Sequence, residues 1–208
     1  KKYYKNEVTD WVVFIHGAGG SSSIWFKQLK EFKKYFNLLL VDLRGHGRSA
    51  GIIEDYYKEK YTFKSISNDV LRVLEDHDIG RAHFVGVSLG TIIIRTIADI
   101  KPEIVQSSVL CGAITRLNTR SRFLVWLGHT FKKVVPFMWL YKLFAWIILP
   151  RKNHQETRSL FIQDAKKLAQ KEFLKWFRLT YDINPLLQYF KEQEINAPTL
   201  YIMGSEDH

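Results

Sequence analysis

The chain has 208 residues, 46% of them apolar and 14% aromatic, enough for one sizeable hydrophobic core. A single cysteine, Cys111, excludes an intramolecular disulfide and predicts a reducing, cytoplasmic setting; it ends an apolar run, as a buried inert thiol would. Net charge is +10, all of it accounted for by fourteen Lys/Arg against four Asp/Glu in residues 115–190, and no uncharged run reaches the roughly 20 residues of a spanning helix.

Trp11 to Ile15 is a continuous apolar run, the signature of a strand covered on both faces. His16-Gly17-Ala18-Gly19-Gly20 follows at once, a glycine loop whose N–H groups can point into a pocket. No Gly-Lys-Ser/Thr follows, which argues against a phosphate loop. Apolar residues at Ile24, Trp25, Leu29, Phe32 and Phe36 predict a helix over 24–36, with Lys27, Lys30, Lys33 and Lys34 mostly on the other side. Leu38 to Val41 reads as the next buried strand, and Asp42 to Ser49 as a polar, glycine-punctuated loop at its end. Residues 50–61 read as an exposed charged loop.

Thr62 is placed to cap a helix from Phe63 to about Asp78, with Ile66, Val70, Val73 and Leu74 on its apolar side and Gly80 as its stop. Ala82 to Val85 predicts a strand that runs into Gly86-Val87-Ser88-Leu89-Gly90. The spacing is G-x-S-x-G. Such a turn holds its serine in a strained backbone conformation and pushes the hydroxyl out of the sheet. A side chain on either glycine would crowd it. Leu89 N–H then falls at a helix N-terminus, where developing negative charge is stabilised. By itself the spacing also fits an ordinary turn. An apolar helix follows as far as Lys101-Pro102, and Val105 to Cys111 supplies another strand.

Strand and helix in alternation predict an α/β protein with a parallel sheet and helices on both faces. Ligands of such sheets sit at the C-terminal ends of the strands. The glycine loop, the Asp42 loop and the serine turn all lie there. The alternation breaks at Ala113. Residues 115–190 are helical in texture and hold four of the six tryptophans and eight of the fourteen phenylalanines. They read as a cap inserted into a core of residues 1–114 and 191–208. The sheet resumes at Thr199 to Met203, followed by Gly204-Ser205-Glu206-Asp207-His208.

This ordered set resembles the α/β-hydrolase fold family: His16-Gly17 after a strand, Asp42-Leu43-Arg44-Gly45-His46-Gly47-Arg48-Ser49, Gly86 to Gly90, and Ala197-Pro198 leading a strand into Gly204 to Asp207. The resemblance implies a doubly wound, mostly parallel sheet with a helical cap. It implies Ser88 as nucleophile, Asp207 as the acid of a Ser-His-Asp triad, and the N–H groups of Ala18 and Leu89 as the oxyanion hole. His16, Gly17, Gly86 and Gly90 would shape the site, and Gly45 to Ser49 would form a structural loop without chemistry. The implied substrate is a small or lipid-like ester or thioester, with no metal and no organic cofactor. A catalytically silent ligand-binding regulator and a cofactor-free perhydrolase are the alternatives on the same fold.

The family's histidine follows the acid after one more helix and one more strand. None of the seven histidines here matches it, and His208 adjoins Asp207 too closely to bridge it to Ser88. The expectation is therefore that the last strand and helix, with the base, lie beyond His208, and that the 208-residue chain alone is almost inactive. Val87 and Thr91 depart from the family's commoner residues and are expected to alter pocket width. In the cap, Phe123, Trp126, Leu127, Phe131, Trp139, Leu143 and Trp146 are candidates to line an apolar tunnel. Lys132, Lys133, Lys142, Arg151 and Lys152 are candidates to face an anionic membrane or substrate. The competing expectation is aromatics packed inward under solvated lysines. Nucleic acid is not an expected partner, because no binding motif accompanies the charge.

Overall fold

The computed structural model describes residues 1–5, 8–51, 61–117, 119–131, 135–148, 151, 155–166, 170–193 and 195–204. Its centre is a six-stranded sheet. The strands are β1 (Lys2–Tyr3), β2 (Trp11–Ile15), β3 (Asn37–Val41), β4 (Ala82–Val87), β5 (Val105–Cys111) and β6 (Thr199–Ile202), in the spatial order β1-β3-β2-β4-β5-β6. All neighbours are parallel except β1, which pairs antiparallel with β3. The register sets Ile15 beside both Val41 and Gly86, so β2, β3 and β4 end at one edge. Every residue of β2 is buried, which explains its unbroken apolar run.

Helices cover both faces. α2 (Phe63–Glu75) and α3 (Leu89–Ile100) pack with β2 and β4 in the larger core, where Ile66, Val70, Leu74, Ile93, Ile94 and Ile97 are wholly excluded from solvent. The other face holds Phe14, Leu38 and Leu40 under Trp25 and Leu29. Among the described residues five helices lie between β5 and β6: α4 (Thr119–Phe131), α5 (Phe137–Ile148), α6 (Gln155–Ala165), α7 (Gln170–Arg178) and α8 (Thr180–Glu192). Ile183, Leu187 and Phe190 of α8, with Trp176 of α7, join the larger core.

The expected Thr62 cap forms in full. Thr62 Oγ1 accepts from Ser65 N–H at 3.0 Å, and Ser65 Oγ accepts from Thr62 N–H at 3.1 Å. The helix ends three residues early, however. Asp78, not Gly80, takes the left-handed turn, at φ 55°, and Ile79 N–H reaches back to Leu74 O at 2.9 Å. That closure buries Ile79.

Two further expectations are corrected, and one element was not expected. Residues 24–36 are not one helix: a 3-10 turn at Ser22–Trp25 is followed by a single helical turn, α1 (Leu29–Phe32). Lysines at 27, 30, 33 and 34 set like charges three and four residues apart, which opposes a longer helix. The loop expected at 50–61 ends in a buried residue, Tyr61; residues 52–60 lie outside the described residues. β1, two residues long, carried too little pattern to be read from sequence.

The loop after β3 is organised by Asp42. Its carboxylate accepts from Ser22 N–H at 2.6 Å and Arg48 N–H at 3.1 Å. Desolvation pushes its pKa up, but these hydrogen bonds more than offset it and hold the pKa below the ordinary carboxylate value. A folded-state pKa below the unfolded one contributes stability above the unfolded value, about 3.9, and loses it as pH falls through the folded value. Urea unfolding between pH 5 and pH 3 should therefore show a steeper loss of stability for the wild type than for Asp42→Asn.

Candidate active site

Ser88 stands between the end of β4 and the start of α3, with φ 52° and ψ −116°. It is one of two non-glycine residues with positive φ among the described residues. A half-buried serine does not adopt this conformation without support. The support is visible on each side. Ser88 N–H donates to Cys111 O of β5 at 3.0 Å. Ser88 O accepts from Thr91 N–H at 2.9 Å and from Thr91 Oγ1 at 2.6 Å. Thr91 is thus buried under the turn and braces it, rather than altering pocket width.

Both glycines of the spacing are required by contact. A Cβ on Gly86 would lie 2.5 Å from Ile94 Cδ1 and 2.9 Å from Gly90 C. A Cβ on Gly90 would lie 2.5 Å from Ile15 O. The first turn of α3 therefore presses directly on the end of β2, and this approach brings the glycine loop to the serine. A Cβ on Gly17 would fall 3.3 Å from Ser88 Cβ and 3.3 Å from Val87 O. Ala18 follows Gly17 at the solvent side, and Leu89 is the first residue of α3, where N–H groups lack helical partners.

The region aligned with this architecture is nearly the whole chain: residues 10–208 match the family described as alpha/beta hydrolase fold. The chain belongs to that family. Among solved structures, the α/β-hydrolase fold here superposes on an enol-lactonase from Burkholderia xenovorans LB400 with a TM-score of 0.78, at 20% identity over 99% of this chain and 76% of that one. A putative carbamate hydrolase RutD from Pseudomonas syringae is 30% identical over 53% of this chain and 41% of its own length. A putative non-heme bromoperoxidase BpoC from Mycobacterium tuberculosis is 32% identical over 58% of this chain and 45% of its own. The chain spans less than half the length of these two curated relatives.

In this α/β-hydrolase fold two histidines hold the glycine loop. His16 is fully buried; its Nε2 accepts from Leu43 N–H at 3.0 Å, so its proton sits on Nδ1, which donates to Gly17 O at 2.7 Å. His46 Nε2 accepts from Gly19 N–H at 2.9 Å, and its Nδ1–H donates to Arg44 O at 2.8 Å. With both nitrogens of each ring engaged, neither imidazole has a face left for proton transfer to Ser88. His46 was expected to carry no role beyond its loop, and the structure ties it to the loop that holds Ala18. The signal in the sequence, a histidine between two glycines after a strand, did not reveal its partner 27 residues away.

Helices from residues 115–190 pack against the same loop. Tyr141 of α5 donates from its hydroxyl to Ala18 O at 3.3 Å, and only a glycine at 19 fits beneath it, since a Cβ there would lie 2.0 Å from the Tyr141 oxygen. From α7, Trp176 Nε1 donates to Arg44 O at 3.0 Å and its ring stands edge-on to His46, with centroids 4.8 Å apart. Glu172, one turn earlier, accepts from Tyr61 Oη at 2.5 Å and from Lys175 Nζ at 2.5 Å. Burial, and then the Glu172 hydrogen bond and charge, push the Tyr61 phenol far above its usual range, so it stays a donor at any ordinary pH. Arg44 itself is held by a bidentate pair with Asp69 of α2, with Nη2 2.8 Å from Oδ1.

Removing the His46 ring tests this arrangement. His46→Ala should cost about 2–3 kcal/mol in urea unfolding, through lost packing and an unpaired Gly19 N–H. If the Ala18 N–H serves as an oxyanion donor, kcat of the full-length protein should also fall more than KM rises, because the loosened loop would then weaken a contact made in the transition state.

The aromatics of residues 115–190 lie where the sequence did not put them. Phe123, Trp126, Phe131, Trp139, Leu143 and Trp146 are exposed and Leu127 is half-buried, so the six exposed residues neither line a tunnel nor pack inward. The buried cluster of this segment is instead Tyr141, Ala165, Phe173 and Phe177. Small residues chose the inward faces: Ala145 and Ala165 are fully buried, and a Cβ on Gly128 would strike Phe177 at 2.2 Å. Of the other candidates, Asp207, His208, Lys132, Lys133 and Lys152 lie outside the described residues. Cys111 is half-buried, and burial pushes its thiol pKa up, away from the reactive thiolate.

Proposed function

We propose that this chain carries the nucleophile and oxyanion hole of a serine hydrolase that cleaves carboxylic ester or thioester bonds in a small or lipid-like substrate. The observation that carries this reading is the left-handed Ser88 at the head of α3, pressed against the Gly17 loop. Structural elements rarely hold a serine in so strained a turn without use for its hydroxyl.

In this mechanism Ser88 Oγ attacks the carbonyl carbon while an imidazole takes its proton. The N–H groups of Ala18 and Leu89 hold the oxyanion, each contributing about 3 kcal/mol of transition-state stabilisation. The imidazole then returns the proton to the leaving group, and water releases the acyl group from Ser88. Asp207 orients the imidazole, and a histidine following it in the family's chain order supplies the base. Residues 115–190 act as the cap that selects substrate, and the setting is cytoplasmic, which the single cysteine supports.

The test is labelling of the full-length protein with a fluorophosphonate probe, followed by assays on p-nitrophenyl esters, thioesters and a carbamate. Covalent labelling at Ser88 that disappears in Ser88→Ala supports the reading. An unlabelled protein that binds ligands without turning them over would establish the silent regulator instead. A second reading uses peroxide rather than water as the acyl acceptor. The match to a putative non-heme bromoperoxidase favours including it, and peracid formation from an ester with peroxide would separate the two.

A further inference from the structure

The cap presents an apolar surface whose placement periodicity alone did not predict. α5 is apolar on most of its circumference, with Lys142 its one charged residue. One side carries Leu140, Tyr141 and Ala145, all buried, and Tyr141 rests on the glycine loop. The opposite side carries Trp139, Leu143, Trp146 and Ile147, spaced as one stripe along the helix and all exposed. Trp139 is 72% exposed and Trp146 57%. On α4, Phe123 and Trp126 stack on each other at 5.9 Å and are also exposed, Trp126 to 58%. Three outward tryptophans on two helices far exceed the scattered single apolar residues of an ordinary surface.

Charge accompanies them. Arg122, Lys142 and Arg151 are exposed, and Arg158 sits over the Trp146 ring at 3.8 Å. They belong to the segment that holds the chain's whole positive excess. Among the described residues no helix is long and apolar enough to cross a membrane. Tryptophans with flanking Arg and Lys, on a helix too short to span, suit the boundary between lipid headgroups and acyl chains.

We propose that the exposed stripe of α5 seats the protein on an anionic bilayer, with Trp139, Leu143 and Trp146 inserted and Lys142 and Arg151 at the headgroups. A second copy of the chain fits this face poorly, because it would set two like-charged segments against each other. The proposal does not depend on the chemistry of Ser88.

The experiment is flotation of the full-length protein with vesicles of phosphatidylcholine containing about 30% phosphatidylglycerol, compared with pure phosphatidylcholine. Binding to the anionic vesicles is expected, weakened in about 0.5 M salt. Trp139→Ser with Trp146→Ser should lower the vesicle affinity by roughly a hundredfold, about tenfold for each ring removed. Lys142→Glu should lower it severalfold on anionic vesicles only. These positions are exposed, and unchanged near-ultraviolet circular dichroism in each variant verifies that the fold survives. Absence of vesicle binding, equal binding by the tryptophan variant, or indifference to salt and headgroup charge would each overturn the proposal. So would a stable dimer in lipid-free solution that the tryptophan variant abolishes, or preferential binding of single-stranded DNA over vesicles.

Discussion

Ser88→Ala is expected to lower kcat of the full-length protein roughly a millionfold, the loss seen when one member of a catalytic unit is removed. Affinity for substrate should change little, because Oγ contributes through a bond formed during reaction rather than through binding. Stability should also stay close to the wild type, since alanine keeps the Cβ that makes φ 52° costly. Ser88→Gly separates the two effects further. Glycine adopts this φ freely, which removes about 1–3 kcal/mol of strain and adds up to about 1 kcal/mol of unfolded-state entropy. The glycine variant should be inactive yet more stable by about 1 kcal/mol in urea unfolding. A Ser88→Ala enzyme with near-wild-type turnover would end the nucleophile assignment. A Ser88→Gly protein less stable than wild type would show that the turn is not strained.

Gly90→Ala should be the most damaging single methyl added near the site. The new Cβ would lie 2.5 Å from Ile15 O and 3.0 Å from His16 O, both backbone atoms of the β2 end that cannot rotate away. α3 must then move off the sheet. The expected cost is about 3 kcal/mol, at the upper end for overpacking, and a fall of about 1 M in the urea midpoint. Activity should drop beyond the stability loss, because the shift carries Ser88 and Leu89 N–H away from the Gly17 loop. Gly80→Ala is the control: a Cβ there meets nothing within 4 Å. It should leave both stability and activity near the wild type, which also tests that Asp78 rather than Gly80 ends α2.

The sheet was legible because each buried strand is an apolar run with a glycine or polar loop at its end. β2, β3, β4 and β5 fall within a residue or two of where those runs lie. The Thr62 cap was legible for a similar reason: a hydroxyl two or three residues from the amide it accepts needs only local geometry. Residues 24–36 do not form one helix, because repulsion among the lysines at 27, 30, 33 and 34 opposes what the apolar stripe favours. The clasp from α7 was invisible. Tyr61 meets Glu172 across 111 positions and Trp176 meets Arg44 across 132, and neither pair leaves a periodic trace.

α5 shows the limit most clearly. Eleven of its twelve residues are uncharged and mostly apolar, and Lys142 alone marks an outer side, so the period of 3.6 barely distinguishes an inner face. The choice fell to features on other elements. Ala165 and Gly128 let helices approach, Phe173 and Phe177 filled the space between them, and Ala18 O offered Tyr141 an acceptor. The tryptophans, too large for that seam, were left outside.

Local order alone determined the α/β layering and the turn that raises Ser88, because steric exclusion between neighbouring residues acts within a few positions of the chain. The surface of α5 left in water and the ring that steadies Gly19 were decided only by the assembled fold. Those outcomes depend on contacts between segments distant in sequence, whose shapes match or clash only once the sheet has brought them together.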